Sequence, residues 1–206
     1  MWFEKRQCNL LSQTGSLAKK YYSLEHVGVN LHQDIIDRCK AGDRQAHYRL
    51  YQLYSKSMFN VCYRIVKDEP AAEDVLQDAF INAFRNLKNY RGDSAFGAWL
   101  KRIVVNKAIT HIGRRRLERI PDDEGFDIQE EVHMESVSFP FTVDRVKEAI
   151  LSLPDGYRTV LSLYLLEGYD HEEIGQVLEI SESTSKSQFS RAKKKLIEIL
   201  KEQKYG

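Results

Sequence analysis

The stretch DHEEIGQVLEISESTSKSQFSRAKKKL, residues 170–196, predicts two helices joined by a tight turn. The first helix begins at Asp170, whose carboxylate can accept hydrogen bonds from the free N–H groups of the first turn. Glu173 follows three residues later, which is the spacing of a capping box. The apolar side of this helix consists of Ile174, Val177 and Leu178. The start signal and the apolar side together predict a short helix packed against a second one.

The predicted turn lies at Glu179, Ile180 and Ser181. Gly175, one turn earlier, has no side chain and therefore permits close approach of the next helix. We expect Ile180 to face inward and Ser181 to cap the second helix. These features predict a fixed angle between two consecutive helices.

The second predicted helix carries short hydroxyls and cations, which suit base edges and phosphates. A short helix, a turn and a projecting basic helix form the helix-turn-helix that places side chains in the DNA major groove. An ordinary helical hairpin with a solvated polar face is the alternative. Small hydroxyls, rather than long Glu–Lys pairs, favour DNA binding. The polar positions are Ser183, Thr184, Ser185, Lys186, Ser187, Gln188, Ser190 and Arg191.

Length and composition set the broad class of the protein. A chain of 206 residues fits one domain or two small ones, and its 42% hydrophobic residues suffice for a core. The mean hydropathy of −0.50 favours a water-soluble protein. No apolar run approaches the roughly 20 residues of a membrane-spanning helix, and the N-terminus lacks the features of a signal peptide. We therefore expect no membrane insertion.

Cysteine and histidine usage argues against disulfide or zinc chemistry. Cys8, Cys39 and Cys62 show no CxxC spacing, which favours a reducing cytoplasm. His32 and His47 do not pair with cysteines at ligand spacing. The sequence also contains no Gly-rich nucleotide-binding loop and no nucleophile-plus-base constellation. We expect no catalysis, no metal and no cofactor.

The charge is unevenly distributed, although the net charge is only +1. Residues 101–119 carry seven cations and one carboxylate, and residues 186–204 carry seven cations and two carboxylates. Between these blocks, residues 122–135 carry seven carboxylates and no Lys or Arg. Two basic blocks around an acidic connector predict two nucleic-acid surfaces separated by a segment that avoids DNA.

Helical periodicity and chain breakers predict an all-α protein of two small helical domains joined by a flexible linker. Predicted helices cover residues 33–41, 43–66, 70–87, 95–116, 142–153 and 157–166, with Asp93 or Ser94 capping the fourth. Phe80, Phe84, Phe96 and Trp99 have the helical spacing of core residues. The predicted organisation is an N-terminal extension (1–30), a first domain (31–116), an acidic linker (117–141) and a helix-turn-helix domain (142–206).

Three stretches in this order carry a family resemblance: EDVLQDAFINAFRNL (73–87), YRGDSAFGAWLKRIVVNKAITHIGRRR (90–116) and residues 153–196. Together they resemble bacterial sigma factors of the extracytoplasmic-function type, in the sigma-70 family. The resemblance covers residues 34–116 and 142–200. It implies a protein that directs core RNA polymerase to promoters, with a first domain like sigma region 2 and a second like sigma region 4.

The resemblance assigns the first domain to capture of the start-proximal (−10) promoter element. The loop from Lys88 to Ser94 resembles the one that takes an extruded base of the non-template strand, and Tyr90 would offer it a stacking face. The implied DNA-binding residues are Asn89, Tyr90, Ser94, Lys101, Arg102, Asn106 and Lys107.

The resemblance also assigns one helix to the clamp of the largest polymerase subunit. The polar residues of this helix share one face because residues three and four apart are neighbours. Leu76 and Phe80 would anchor beneath the polar contacts. The implied polymerase-binding residues are Glu73, Asp74, Leu76, Gln77, Asp78 and Phe80. From the residues alone, the carboxylates could also serve acid–base chemistry, or could simply favour the helix dipole.

The second domain would read the start-distal (−35) element and contact the polymerase flap region. The implied DNA-binding residues are Ser183, Thr184, Lys186, Ser187, Gln188, Ser190, Arg191 and Lys194. The chain departs from the family at three positions, where Val, Arg and Gly are common: Ser185, Gln188 and Glu179. We expect Ser185 to weaken packing of the helix, and Gln188 to remove one of the cations that would face phosphates.

The resemblance implies a further partner, an anti-sigma factor that covers the surfaces of both domains. Two other functions stay open from the residues. A free-standing repressor or activator would use the helix-turn-helix alone, and would bind duplex DNA tightly without polymerase. An enzyme would use the pair Asp74 and Asp78.

Overall fold

The computed structural model of the chain describes residues 32–113 and 142–205. Regular structure in these two ranges is entirely helical, which confirms the all-α prediction. The helices are α1 (Gln33–Lys40), α2 (Arg44–Val66), α3 (Glu69–Arg85), a short 3-10 helix (Leu87–Asn89), α4 (Phe96–Ile112), α5 (Val143–Ser152), α6 (Asp155–Leu165), α7 (His171–Leu178) and α8 (Glu182–Tyr205). The predicted N-terminal extension (1–30) and acidic linker (117–141) lie outside the described residues.

Short polar side chains set the starts of α2 and α3. The Asp43 carboxylate accepts hydrogen bonds from the N–H groups of Gln45 and Ala46, at 2.8 and 3.2 Å. Asp68 caps α3 in the same way, accepting from the N–H of Ala71 at 2.9 Å. Pro70 is consequently the second residue of α3 rather than the first, and still lies in the turn whose N–H groups have no helical acceptor.

Several predicted helix ends differ from the observed ones by a few residues, among them the start of α6, which lies at Asp155 rather than at residue 157. The third helix ends at Arg85, so Leu87 lies in the 3-10 helix that follows. The carbonyl of Ala95 accepts the first hydrogen bonds of α4, and this residue occupies the cap position predicted for Asp93 or Ser94. The same helix ends at Ile112, before the predicted residue 116, because Gly113 has the left-handed φ of 75°.

Backbone contacts divide the described chain into two compact units. The first comprises residues 32–54 and 80–102, and the second comprises residues 55–79, 103–113 and 142–205. The division passes through α2, α3 and α4, and so differs from the domain boundaries predicted at 31–116 and 142–206. Those domain boundaries stay a prediction.

The first unit contains an aromatic core. The ring of Phe80 packs against Tyr51, with ring centroids 4.8 Å apart, and Phe96 packs against Tyr54 at 5.2 Å. Phe80 and Phe96 are 3% and 2% exposed, which confirms their predicted core positions. The other two predicted core aromatics, Phe84 and Trp99, are half-buried.

The second unit contains a hydrophobic cluster that joins α5, α6 and α8. Its buried members are Ile150, Leu153, Tyr157, Leu161 and Ala192, and the partly buried Val146, Phe189, Leu196 and Ile199 pack around them. The apolar positions of α8 recur every three or four residues, so one face of this helix is held inward.

Arg158 is a buried cation in the second unit, with 1% of its surface exposed. Its guanidinium donates hydrogen bonds to the carbonyls of Leu153 (3.0 Å), Arg64 (2.9 Å) and Ile65 (3.0 Å), and to the carboxylate of Asp155 (2.6 Å). The carbonyls of residues 64 and 65 lie in the last turn of α2, the negative end of its dipole. A buried charge is tolerated only when it is paired in this way.

Two buried thiols also stand in the described helices. Burial raises the pKa of Cys62 to about 12, and burial together with the Asp43 carboxylate raises that of Cys39 to about 11. Both thiols stay protonated at neutral pH and therefore behave as small apolar side chains.

We expect Arg158→Met to lower the free energy of unfolding by about 3 kcal/mol, because it removes the donor from three carbonyl groups, two of them in buried contacts, and the partner of a carboxylate. The measurement is urea unfolding followed by circular dichroism. Ser162→Ala is the matched control on α6, since the buried Ser162 hydroxyl makes no hydrogen bond within the described residues. Equal stability of the two variants would contradict the structural role of Arg158.

Candidate nucleic-acid interface

The first helix of the predicted helix-turn-helix, α7, begins with a complete capping box. The Asp170 carboxylate accepts a hydrogen bond from the N–H of Glu173 at 2.8 Å, and the Glu173 carboxylate accepts one from the N–H of Asp170 at 3.1 Å. Both predicted partners are therefore confirmed. The reciprocal bonds satisfy two N–H groups that the helix itself cannot satisfy.

The turn between α7 and α8 is tight. Glu179 has the left-handed conformation, with φ 59° and ψ 39°, and the N–H of Ile180 donates to the carbonyl of Gly175 at 3.0 Å. A Cβ at Gly175 would lie 2.8 Å from the carbonyl oxygen of Ile180. The predicted close approach at Gly175 is confirmed. Ile180 is half-buried, so its predicted inward orientation is only partly realised.

Ser181 caps α8, as predicted. Its hydroxyl oxygen accepts a hydrogen bond from the N–H of Thr184 at 3.0 Å. The same oxygen lies 2.8 Å from the hydroxyl of Ser183 and 2.7 Å from that of Thr184. A cluster of small hydroxyls consequently marks the N-terminal end of α8.

The side chains of α8 divide into an outer and an inner set. Among the predicted DNA-binding residues, the exposed ones are Ser183, Lys186, Ser190 and Lys194, and the half-exposed ones are Thr184, Ser187 and Arg191. These seven positions define the reading face of α8. Gln188 is 7% exposed and Ser185 is fully buried. The prediction that Gln188 contacts DNA does not fit this placement, because its side chain belongs to the inner set.

In the first unit, the predicted base-capture loop borders a cavity of about 360 Å³. The cavity is lined by Asn89, Tyr90, Arg91, Asp93, Ser94 and Trp99. Three of these, Asn89, Tyr90 and Ser94, are sequence-predicted site residues. Trp99 was assigned to the core by its helical spacing, yet its half-buried indole reaches the cavity wall.

Tyr90 supports the loop from inside. Its ring is 4% exposed and lies 5.4 Å from Phe96 and 5.3 Å from Trp99, measured between centroids. Its hydroxyl donates to the carbonyl of Ser94 at 2.6 Å. Burial raises the pKa of this phenol, and the nearby Asp93 carboxylate raises it further. The expectation that Tyr90 presents an open stacking face is wrong for this conformation.

Lys40 joins the loop from helix α1. Its ammonium donates to the carbonyl of Tyr90 at 2.8 Å and lies 5.5 Å from the centroid of the Tyr90 ring. Both contacts hold the loop at its centre. Nothing in the sequence pattern points to this lysine, because the contact joins residues 50 positions apart.

The predicted contacts on α4 differ in exposure. Arg102 and Asn106 are exposed, whereas Lys101 and Lys107 are half-exposed. All four residues therefore have solvent-accessible surface, as a phosphate contact requires.

The predicted polymerase-binding helix, α3, separates polar from apolar side chains. Glu73, Asp74, Gln77 and Asp78 are all exposed on one side. Leu76 and Phe80 are 4% and 3% exposed, so they lie beneath this face and are not open to a direct contact.

Within residues 32–113 and 142–205, no group of three or more His, Cys, Asp or Glu side chains is arranged to hold a metal ion. None of the helices in those ranges is long and apolar enough to cross a membrane.

Comparison with known proteins identifies the family. The model of sigma-70 region 2 matches residues 50–118, and the model of sigma-70 region 4 matches residues 144–196. The RNA polymerase sigma-H factor of Pseudomonas aeruginosa is 34% identical, over 82% of this chain and 93% of its own length. The ECF RNA polymerase sigma-E factor of Escherichia coli K12 is 32% identical, over 78% and 90%.

The chain belongs to the extracytoplasmic-function sigma factors of the sigma-70 family. This sigma factor directs RNA polymerase to promoters for the initiation of transcription. Sigma factors of this family are initiation factors without catalysis of their own. The same group includes the factor SigW of Bacillus subtilis, 28% identical over 81% of this chain and 95% of that protein.

A solved structure shares the fold of this sigma factor. It is the sigma factor RpoE of Bartonella quintana in complex with the anti-sigma factor NepR, with a TM-score of 0.50 and 23% identity. The match covers 75% of this chain and 96% of that one. It agrees with the all-helical architecture.

We expect Gly175→Ala to lower the free energy of unfolding by about 2 kcal/mol, because the new methyl group overlaps the carbonyl of Ile180 and pushes the two helices of the turn apart. Thermal unfolding measures the effect. Gln176→Ala, the exposed neighbour on α7, is the control and should change stability little. A Gly175→Ala variant as stable as the control would show that the turn has room to relax.

Proposed function

We propose that this sigma factor divides promoter recognition between two surfaces. The reading face of α8 contacts the start-distal element as intact duplex, and the cavity beside Asn89 and Trp99 takes a base of the displaced non-template strand. The observation that carries the proposal is the helix-turn-helix geometry, in which a capping box and a tight turn present seven polar positions on one side of α8. A projecting helix of this kind fits the major groove.

The side-chain chemistry of the reading face supports duplex recognition. Lys186 and Arg191 supply cations for phosphates and guanine edges, and small hydroxyls such as Ser183 and Ser190 suit several base edges. Lys186 also pairs with Glu182 at 2.7 Å, with both side chains more than half exposed. An exposed pair of this kind is weak and can exchange its partner for a phosphate.

The cavity in the first unit supports capture of a single base. Its volume of about 360 Å³ lies within the range of about 300 to 1,000 Å³ that is usual for small-molecule sites. Trp99 supplies an aromatic surface, and the exposed Asn89 and Ser94 supply hydrogen-bonding groups. Unstacking a base costs a few kcal/mol, which contacts of this kind can repay. Promoter opening would then be driven by binding energy, without nucleotide hydrolysis.

Binding to core polymerase is assigned to α3. Its exposed polar residues Glu73, Asp74, Gln77 and Asp78 would meet the clamp of the largest subunit, with Leu76 and Phe80 holding the helix rigid from below. The helix-turn-helix unit would contact the flap region. Binding to polymerase implies a cytoplasmic protein, and no enzymatic activity is needed for this role.

An anti-sigma factor is a further proposed partner. The structural relative from Bartonella quintana was solved with one. In this chain the surfaces open to such a partner include the exposed apolar side chains of Tyr48, Leu53 and Ile81, which are 64%, 40% and 48% exposed. Covering them together with the basic surfaces would block polymerase and DNA at once.

The decisive experiment is reconstituted transcription with purified core polymerase across a library of promoters. We expect the factor to bind core and to confer initiation on a defined subset of sequences. Failure to bind core would overturn the proposal. Tight duplex binding without polymerase would instead support a free-standing regulator.

We expect Arg191→Ala to weaken binding of holoenzyme to the distal element about tenfold, because it removes a cation from the reading face. Electrophoretic mobility shift with duplex DNA measures this loss. Lys201→Ala is the matched control, since it removes an exposed cation further along the same helix. A loss of equal size in the control would show that only the overall charge of α8 matters.

We expect Asn89→Ala to leave duplex binding unchanged and to reduce opening, because Asn89 lines the cavity and not the reading face. Permanganate reactivity of unpaired thymines measures opening. Gln52→Ala, an exposed amide outside the cavity in the same unit, is the control. If Asn89→Ala and Arg191→Ala reduce the same step, the division between the two surfaces is wrong.

A further inference from the structure

A hydrogen bond joins the two helices of the helix-turn-helix beneath the reading face. His171 is the first residue of α7, and its Nδ1 lies 2.9 Å from the hydroxyl oxygen of Ser185 on α8. Ser185 is fully buried. We expected this serine to weaken the packing of α8, and that expectation overlooked its polar partner. The bond satisfies a hydroxyl that would otherwise be buried without one.

The imidazole that makes this bond packs against aromatic rings from two other helices. The ring of His171 stacks on Tyr164 of α6, with centroids 4.5 Å apart and an angle of 21° between planes. Phe189 of α8 packs against Tyr164 at 4.4 Å and meets His171 edge-on at 5.5 Å. The stack holds the imidazole in one orientation, so that its Nδ1 points to a fixed place.

Ser185 and Phe189 are one helical turn apart, so they lie on the same inner side of α8. One is held by a directional hydrogen bond and the other by ring packing. Two attachments one turn apart resist rotation of the helix about its axis as well as sliding along it. The rotation of α8 in turn decides where the reading face points.

A small rotation of α8 about its axis is enough to displace its side chains relative to the base edges. A side-chain tip about 6 Å from the helix axis moves by about 1 Å when the helix rolls by about 10°. A hydrogen bond to a base edge tolerates only a few tenths of an ångström around its usual length. A change in the inner contacts can therefore alter which base pairs fit, without touching DNA.

We propose that His171 and Ser185 are positioning residues for promoter discrimination: their hydrogen bond, inside the stack with Tyr164 and Phe189, sets the rotation of α8 and thereby the base preference at the distal element. This inference rests on the proposed function of α8 as the reading helix. Neither residue contacts DNA in this scheme. Both act through the seven positions of the reading face.

Four variants of the full-length factor separate positioning from stability. His171→Phe keeps a stacking ring and removes the hydrogen bond, and Ser185→Ala removes the same bond from the other side. The double variant should change discrimination no more than either single variant, since both act through one interaction. His171→Asn keeps a hydrogen-bonding group near the position of Nδ1 and should restore much of the wild-type preference.

The readout is transcription by reconstituted holoenzyme from a library in which the distal element is randomised. We expect the two single variants to change the ratio between the preferred sequence and its single-base neighbours by about fivefold at one or two positions, the size of one displaced base contact. Binding to core polymerase should stay within twofold of wild type. Ser162→Ala, which removes a buried hydroxyl without a partner in the described residues, is the control and should leave the ratios unchanged.

An equal loss of transcription from all sequences, with unchanged ratios between them, would overturn the inference. A merely structural role lowers activity without altering the sequence preference. Thermal unfolding of each variant identifies a protein that fails to fold. If Ser185→Ala fails to fold, the comparison of His171→Asn with His171→Phe tests the inference, because only the first keeps a hydrogen-bonding group.

Arg191→Ala separates the positioning role of His171 and Ser185 from the reading role of α8. If it leaves binding of holoenzyme to the distal element intact, the reading role of α8 fails. If it weakens that binding while the His171 and Ser185 variants keep the wild-type sequence ratios, only the positioning role fails.

Discussion

The close approach of the Ile180 carbonyl to Gly175 is the constraint on which the proposed DNA-reading surface depends. It requires a residue without a side chain at position 175 and a left-handed backbone at Glu179. The left-handed conformation costs a non-glycine residue roughly 1 to 2 kcal/mol. That cost is offset by two well-formed helix ends on either side, one capped by Asp170 and one by Ser181. The turn therefore holds α8 at a fixed angle, and everything that α8 presents to a partner follows from that angle.

Local chemistry explains why the sequence predicted this turn so closely. A capping box, a glycine and a serine cap act over three or four residues, within the reach of sequence rules. The buried side of α8 was harder to predict from the sequence. Most residues of this helix are polar, and packing against α6 and α7 determines which of them face inward. A signal was present in the sequence: the stripe through Phe189, Ala192 and Leu196 extends backward to Ser185 and Gln188 at helical spacing. Following that stripe would have placed both residues inside.

The base-capture loop was located from the sequence, but its internal supports were not. Tyr90 was expected to be accessible because it lies in a predicted polar loop, two residues before Gly92. Its burial results from Phe96 and Trp99 on the following helix and from Lys40 on α1. Arg158 shows the same limit, since an arginine in an amphipathic helix is expected at the surface. Its acceptors at residues 64 and 65 are more than 90 positions away. Contacts between residues so far apart in the chain produce no periodic pattern, so they cannot be predicted from the sequence in this way.

The near-zero net charge of the chain conceals surfaces of opposite sign that suit different partners. Exposed carboxylates dominate the polar face of α3, whereas the charged positions of the reading face of α8, Lys186, Arg191 and Lys194, are all cations. Counterion release makes the free energy of DNA binding depend on the cations near the phosphates, not on the total charge. Carboxylates that lie more than about 8 Å from the bound phosphates cost little, because salt at physiological concentration screens the interaction between exposed charges beyond that distance. A protein with this division of charge can bind an acidic polymer through one surface while keeping a second, acidic surface for a protein partner.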